Sequence, residues 1–162
     1  MQHALKTTRP VRPVLSIADI VAIEAHPYDE LVTAHNLYDL FRATALHVPD
    51  RQALTVLRSE DPDDVGTSLT HRLLLGEITR AANLFRSLGI TPRDGVVAFF
   101  APTLPQLPAL LLGAQVAGVA STLNYLLSAD ALVDLLNAQR ATVLVIPAPT
   151  LDETCWAKAQ AT

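Results

Sequence analysis

The chain has 162 residues, a formal charge of −4, one cysteine and five histidines; half of it is hydrophobic and only 17% is charged. That balance excludes a disordered tail, which would be polar and charge-rich, and the mild negative charge argues against a nucleic-acid binder. A single cysteine, Cys155, excludes an intrachain disulfide and a multi-cysteine zinc site and suits a reducing compartment, so a cytoplasmic location is expected.

The N-terminus carries Lys6, Arg9 and Arg12, then a modest apolar stretch from Val14 to Ala25. Asp19 and Glu24 interrupt it and Pro10 and Pro13 precede it, so it lacks the unbroken apolar core of a signal peptide. It reads as an irregular arm, with Pro27 and Tyr28 marking a turn. Leu37, Leu40, Phe41, Thr44 and Ala45 then recur three or four apart and predict a helix. Asn36 is placed to cap it, Asp39 suits its positive end, and Pro49 stops it.

Ala53 to Leu57 reads as a short strand, followed by a polar loop from Arg58 to Gly66. Its carboxylates, Glu60, Asp61, Asp63 and Asp64, do not follow calcium-loop spacing, so a solvated turn is expected. Gly66-Thr67-Ser68 lacks a following lysine and reads as a hairpin loop rather than a phosphate cradle.

The clearest helix follows, with Leu74, Ile78, Ala81, Phe85 and Leu88 on one face and Thr70 as cap. Arg72, Thr79, Arg80 and Arg86 are assigned to its wet side. Gly89 can adopt the left-handed conformation at its end, Ile90 can fold back, and Pro92 prevents continuation.

From Gly95 to Ala129 there is no charged side chain. Pro102, Pro105 and Pro108 divide the run, so no membrane span is expected. It splits into a strand (Val96 to Phe100), a helix (near Leu107 to Ala117) and a strand (Val119 to Leu123). Ser128 caps a helix whose buried side is Leu132, Leu135 and Leu136; Thr142 to Ile146 is a further strand; Leu151 to Ala161 reads as an incomplete helix. From residue 72 the order is helix, strand, helix, strand, helix, strand. Strands without alternation point to burial on both faces, hence an α/β fold with alternating helices and mostly parallel strands.

The chemistry-bearing residues are sparse. The six glycines are not grouped, so no nucleotide-binding loop is written here. His3, His26, His35, His47 and His71 show no i, i+4 pair, and Cys155 reads as a packed thiol. No catalytic, cofactor-binding or metal-ligating residue is assigned.

The order of several segments nevertheless resembles one family. Arg80-Ala81-Ala82-Asn83-Leu84-Phe85, Leu88-Gly89-Ile90, Asp94 to Pro102, Gly113 to Ala120, Leu123 to Leu127 and Ala141 to Val145 resemble the start of the AMP-forming acyl-CoA synthetases, in a fatty-acyl-CoA synthetase-like branch. Leu73, Thr103 and Tyr125 depart from that pattern, standing where an acid, an asparagine and a proline are common. The resemblance implies residues 1–35 as an N-terminal arm and residues 36–162 as an incomplete AMP-binding domain, about the first quarter of such an enzyme. For the full-length family it implies ATP, magnesium and CoA, with an acyl-adenylate formed first and a thioester second. The phosphate loop and the C-terminal lysine have no matching positions here, so the chain alone is expected to lack a cofactor and activity. An apolar surface left bare by the partial domain implies pairing with another subunit or a second copy. A non-catalytic interaction module on the same scaffold, and a nucleotide-binding α/β protein of another class, stay open.

Overall fold

In the computed structural model, residues 13–28, 32, 34–57, 59–61 and 63–162 are described. His3, Lys6, Arg9, Pro10, Arg12, Arg58 and Pro62 therefore lie outside the described residues. The elements are α1 (Ile17–Glu24), α2 (Leu37–His47), β1 (Gln52–Val56), β2 (Thr67–Thr70), α3 (His71–Ser87), β3 (Val96–Phe99), α4 (Leu107–Ala117), β4 (Val119–Thr122), α5 (Ala129–Ala138), β5 (Val143–Val145) and α6 (Glu153–Gln160).

The helices begin where short polar side chains can satisfy their first N–H groups. Asn36 accepts from the Asp39 N–H at 2.8 Å, Thr70 from Leu73 at 3.3 Å and Ser128 from Ala131 at 3.4 Å. Helix α4 has no side-chain cap and carries a proline, Pro108, in its first turn. Helix α3 ends as expected. Gly89 has φ +86°, the Gly89 N–H donates to Arg86 O at 3.0 Å, and that of buried Ile90 donates back to Phe85 O at 3.0 Å.

The same terminal pattern closes α5, but with an arginine in the left-handed position. Arg140 has φ +53°, and Ala141 N–H donates to Leu136 O at 3.0 Å. A Cβ is strained there. Arg140→Gly is expected to stabilise the chain by about 0.5–1 kcal/mol, the relief of strain exceeding the entropy that glycine adds to the unfolded chain. An unchanged or lowered urea midpoint would contradict this.

Strands β3, β4 and β5 form a parallel sheet in the order β4-β3-β5, with Val97 opposite both Ala120 and Val143. Alternate side chains face opposite layers. Val97, Phe99, Val143 and Val145 pack with Ala81 and Phe85 of α3 and Ala114 and Ala117 of α4. Phe100, Leu144 and Ile146 pack on the other side with Leu132, Leu136 and Cys155, from α5 and α6. Both faces are covered, which is why these strands read as apolar without alternation. The charge-free run is accounted for by β3, α4 and β4, and among the described residues no helix is long and apolar enough to cross a membrane.

Strands β1 and β2 form a separate antiparallel pair. Leu54 and Leu69 pack with Tyr38 and Phe41 of α2 against Leu74 and Ile78 of α3.

Four readings of the sequence are corrected. Residues 17–24 are helical rather than irregular, because Ser16 and Asp19 form a reciprocal capping box. Thr67 and Ser68 belong to a strand rather than to a loop, drawn in by backbone pairing with Val56 and Thr55. Leu37, Leu88 and Leu135 are exposed: Leu37 is the first residue of α2, Leu88 is the C-cap of α3, and Leu135 turns away from the cluster that takes Leu132 and Leu136. Thr79 is not on a wet face, since its hydroxyl donates to Leu75 O at 2.8 Å and lies 3.3 Å from the Tyr38 hydroxyl of α2.

Candidate functional site

Helices α3 and α4 approach closely because small residues face each other. A Cβ on Gly113 would stand 2.4 Å from the Ala81 Cβ and 2.9 Å from the Ala82 nitrogen. Beside this contact runs a groove of about 460 Å³. Thr67 and Leu69 of β2 line one side, and Pro105, Gln106, Ala109 and Leu110 line the other. The α3 wall is Glu77, Arg80, Ala81 and Leu84.

The lining is mostly apolar, and its two charges serve each other. Arg80 donates to both carboxylate oxygens of Glu77, one turn back on the same helix. That carboxylate raises the guanidinium's pKa further, so Arg80 carries its charge at every accessible pH. The groove lining contains no histidine, cysteine or unpaired carboxylate. It can hold an apolar group beside an amide and an ion pair; it has no nucleophile with a base beside it.

The residues weighed in the sequence lie elsewhere. His71 opens α3, where its N–H donates to Arg51 O at 3.0 Å and its ring Nδ1 is buried without a partner. His47 closes α2 and His35 is exposed. His26 follows α1 and has an interaction of its own. Cys155 sits in the first turn of α6, where Asp152 accepts from its N–H at 2.8 Å. Its thiol is buried and donates to Phe100 O at 3.1 Å. Burial first, and the Asp152 carboxylate second, push that thiol above its ordinary pKa, so it stays protonated and unreactive near neutral pH. Two carboxylates between residues 59 and 66, those of Asp61 and Asp64, bond to backbone close by in the chain. Asp64 accepts from the N–H groups of Ser59 and Gly66, both at 2.8 Å, and Asp61 accepts from Asp63 at 2.9 Å.

Residues 41–162 match the family model described as AMP-binding enzyme. The chain belongs to the AMP-binding enzyme family. It is 30% identical to the marinolic acid–CoA ligase of Pseudoalteromonas sp. (strain SANK 73390) over 148 residues, which is 91% of this chain and 22% of that protein. Among solved structures it is similar to a Mycobacterium tuberculosis fatty acyl CoA synthetase, with 25% identity and a TM-score of 0.62 over 78% of this chain and 24% of the other. The fold is shared with a putative long-chain-fatty-acid CoA ligase from Rhodopseudomonas palustris CGA009, TM-score 0.63, 23% identity, over 77% of this chain and 30% of that one. The chain thus spans about a quarter of the length of the relatives it matches.

Within this member of the AMP-binding enzyme family, the segments that carry the likeness are scaffold. Residues 80–85 lie in α3, 88–90 form its terminator, 94–102 contain β3, 113–120 turn α4 into β4, and 141–145 hold β5. Among the described residues no group of three or more His, Cys, Asp or Glu side chains is placed to hold a metal ion. The two glycines with positive φ, Gly66 and Gly89, sit in separate turns rather than in one anion-binding loop.

Proposed function

We propose that this chain supplies the N-terminal portion of an ATP-dependent acid–CoA ligase acting on a fatty-acid-like carboxylate. In this reading residues 36–162 are the incomplete AMP-binding domain and residues 1–35 lead into it. The observation that carries it is the family match over residues 41–162, together with a marinolic acid–CoA ligase that shares 30% identity across nearly the whole chain.

The chain alone is inactive in this reading. Adenylation needs donors placed where phosphate charge develops and ligands for Mg²⁺, and the groove offers one self-paired Glu77–Arg80 couple. The family's ATP, magnesium and CoA would be handled by parts of such a ligase that have no counterpart here. ATP–pyrophosphate exchange dependent on added fatty acid tests this directly. No exchange above a blank is expected from the purified 162-residue chain, and sustained turnover would refute the inactivity.

A second reading is a non-catalytic interaction module on the same scaffold. The exposed Leu84 in a groove it shares with Leu69, Ala109 and Leu110 favours it, since uncovered apolar surface commonly meets a partner. A compact, soluble monomer in size-exclusion chromatography would count against it.

A further inference from the structure

Helix α3 buries Leu74, Ile78, Ala81, Ala82 and Phe85 against the body of the chain. Beside the groove it leaves another face uncovered. Helical spacing sets Leu73, Glu77, Arg80 and Leu84 on that face, at steps of four, three and four. Leu73 is 53% exposed and Leu84 50%, and the side chains of Glu77 and Arg80 are 43% and 69% exposed.

The order of these four residues is self-complementary. Leu73 and Leu84 are equidistant from the midpoint between Glu77 and Arg80. The outer residues are alike and the inner ones opposite in charge. When two copies of such a helix lie antiparallel about a two-fold axis through that midpoint, leucine meets leucine and carboxylate meets guanidinium, each contact made twice. A parallel pair would instead set like charge against like charge. A guanidinium carries five N–H donors, so Arg80 can take a second carboxylate while it keeps Glu77 of its own helix.

Gly76 is an independent sign. It lies inside α3 on the flank of the same face, where glycine is a poor helix former. Gly113 has a visible reason in Ala81, but a Cβ on Gly76 would meet nothing within 4 Å among the described residues. No neighbour in the chain requires the missing side chain there, and bare backbone admits a closely approaching helix.

We propose that α3 pairs with α3 of a second copy of this chain, antiparallel and two-fold symmetric. Leu73 of each copy packs on Leu84 of the other, and Glu77 of each faces Arg80 of the other. Leu84 lines the groove with Leu69 and Leu110, so Leu73 of the second copy rests over the groove's mouth. A fatty acyl chain would fill the groove and leave both charges unanswered; a second copy answers all four side chains. One helix from each copy buries a small interface, so the dissociation constant is expected on the order of 10 μM. Pairing requires neither catalysis nor the ligase assignment. It gives the interaction-module reading its partner and rests on that reading in needing self-association.

Sedimentation velocity of the 162-residue chain, above and below that concentration, is expected to show a monomer–dimer equilibrium that weakens with salt. Glu77→Arg alone would bring four guanidinium groups together, and Arg80→Glu alone four carboxylates. Each is expected to weaken pairing about tenfold or more. An equimolar mixture of the two variants should pair again, and so should the chain carrying both changes. These side chains are not buried, so the far-UV circular dichroism of each variant should match the parent's. A Leu73→Cys chain mixed with a Leu84→Cys chain should form an intermolecular disulfide under mild oxidation. Neither should cross-link to itself, because identical positions would lie about 16 Å apart along antiparallel helices. Cys155 is buried and stays out of that reaction. A monomer at every concentration would overturn the proposal together with the interaction-module reading. Dimers indifferent to both charge reversals, variants that fail to pair when mixed, or cross-links between identical positions would overturn the proposal and leave that reading standing.

Discussion

Replacing Phe85 by alanine is expected to lower the unfolding free energy by about 3–5 kcal/mol. Phe85 is 1% exposed and stands at the centre of the layer where α3 and α4 meet the parallel sheet. Its ring meets Phe99 of β3 edge to face, with centroids 6.3 Å apart and planes at 80°. Truncation removes the transfer energy of the ring and that aromatic contact, and it leaves a void walled by Ala81, Ala114 and Ala117. Alanines have no rotamers with which to fill a gap, so little of the cost is recovered. Urea denaturation would show the loss as a lower midpoint at constant slope. A change below about 1.5 kcal/mol would mean that the layer collapses onto the vacancy.

Gly118→Ala should act through the opposite error, too much volume. Gly118 follows α4 and leads into β4. A Cβ there would stand 2.5 Å from the Gly95 carbonyl oxygen, 2.6 Å from the Ile90 Cγ2 and 2.9 Å from the Thr91 carbonyl oxygen. Two of those neighbours are backbone, and both are already engaged: Gly95 O accepts from Val119 N–H at 2.8 Å, and Thr91 O accepts from Gly95 N–H at 3.1 Å. To make room, the start of β3 must move away from β4. The expected cost is about 2–3 kcal/mol, at the upper end for overpacking, because no flexible side chain can absorb all of it. A variant within about 0.5 kcal/mol of the parent in the same urea titration would refute this.

The elements legible in the sequence were those that carry their own punctuation. Thr70, Gly89 and Ile90 mark both ends of α3, and the step of three and four from Leu74 to Phe85 marks its buried face. Strands β3 and β5 could be read because their runs are apolar and uncharged. What escaped depends on partners distant in sequence. Thr67-Ser68-Leu69-Thr70 has no strand signature of its own and is a strand because Gln52 to Val56 pairs with it. Thr79 looks like a surface residue until Tyr38, 41 residues earlier, lies within reach of its hydroxyl. Helix α1 is different, since its signal was local: Ser16 and Asp19 stand at capping-box spacing, but Asp19 looked like an interruption of an apolar run. The groove was the least legible feature. Its walls come from residues 67–69, 77–84 and 105–110, and no motif joins them. The order β4-β3-β5 likewise depends on which way each crossover turns, which no single residue encodes.

The parallel sheet ends on β4 at one side and β5 at the other, and among the described residues neither strand pairs beyond β3. Each therefore presents a free row of amide donors and acceptors, four residues long in β4 and three in β5, with no proline or charged side chain in either to blunt it. Molecules brought together at high concentration can zip along these margins and lengthen into ribbons, so the rate of clouding should climb steeply with protein concentration, and a lysine placed in the middle of β4 should slow it.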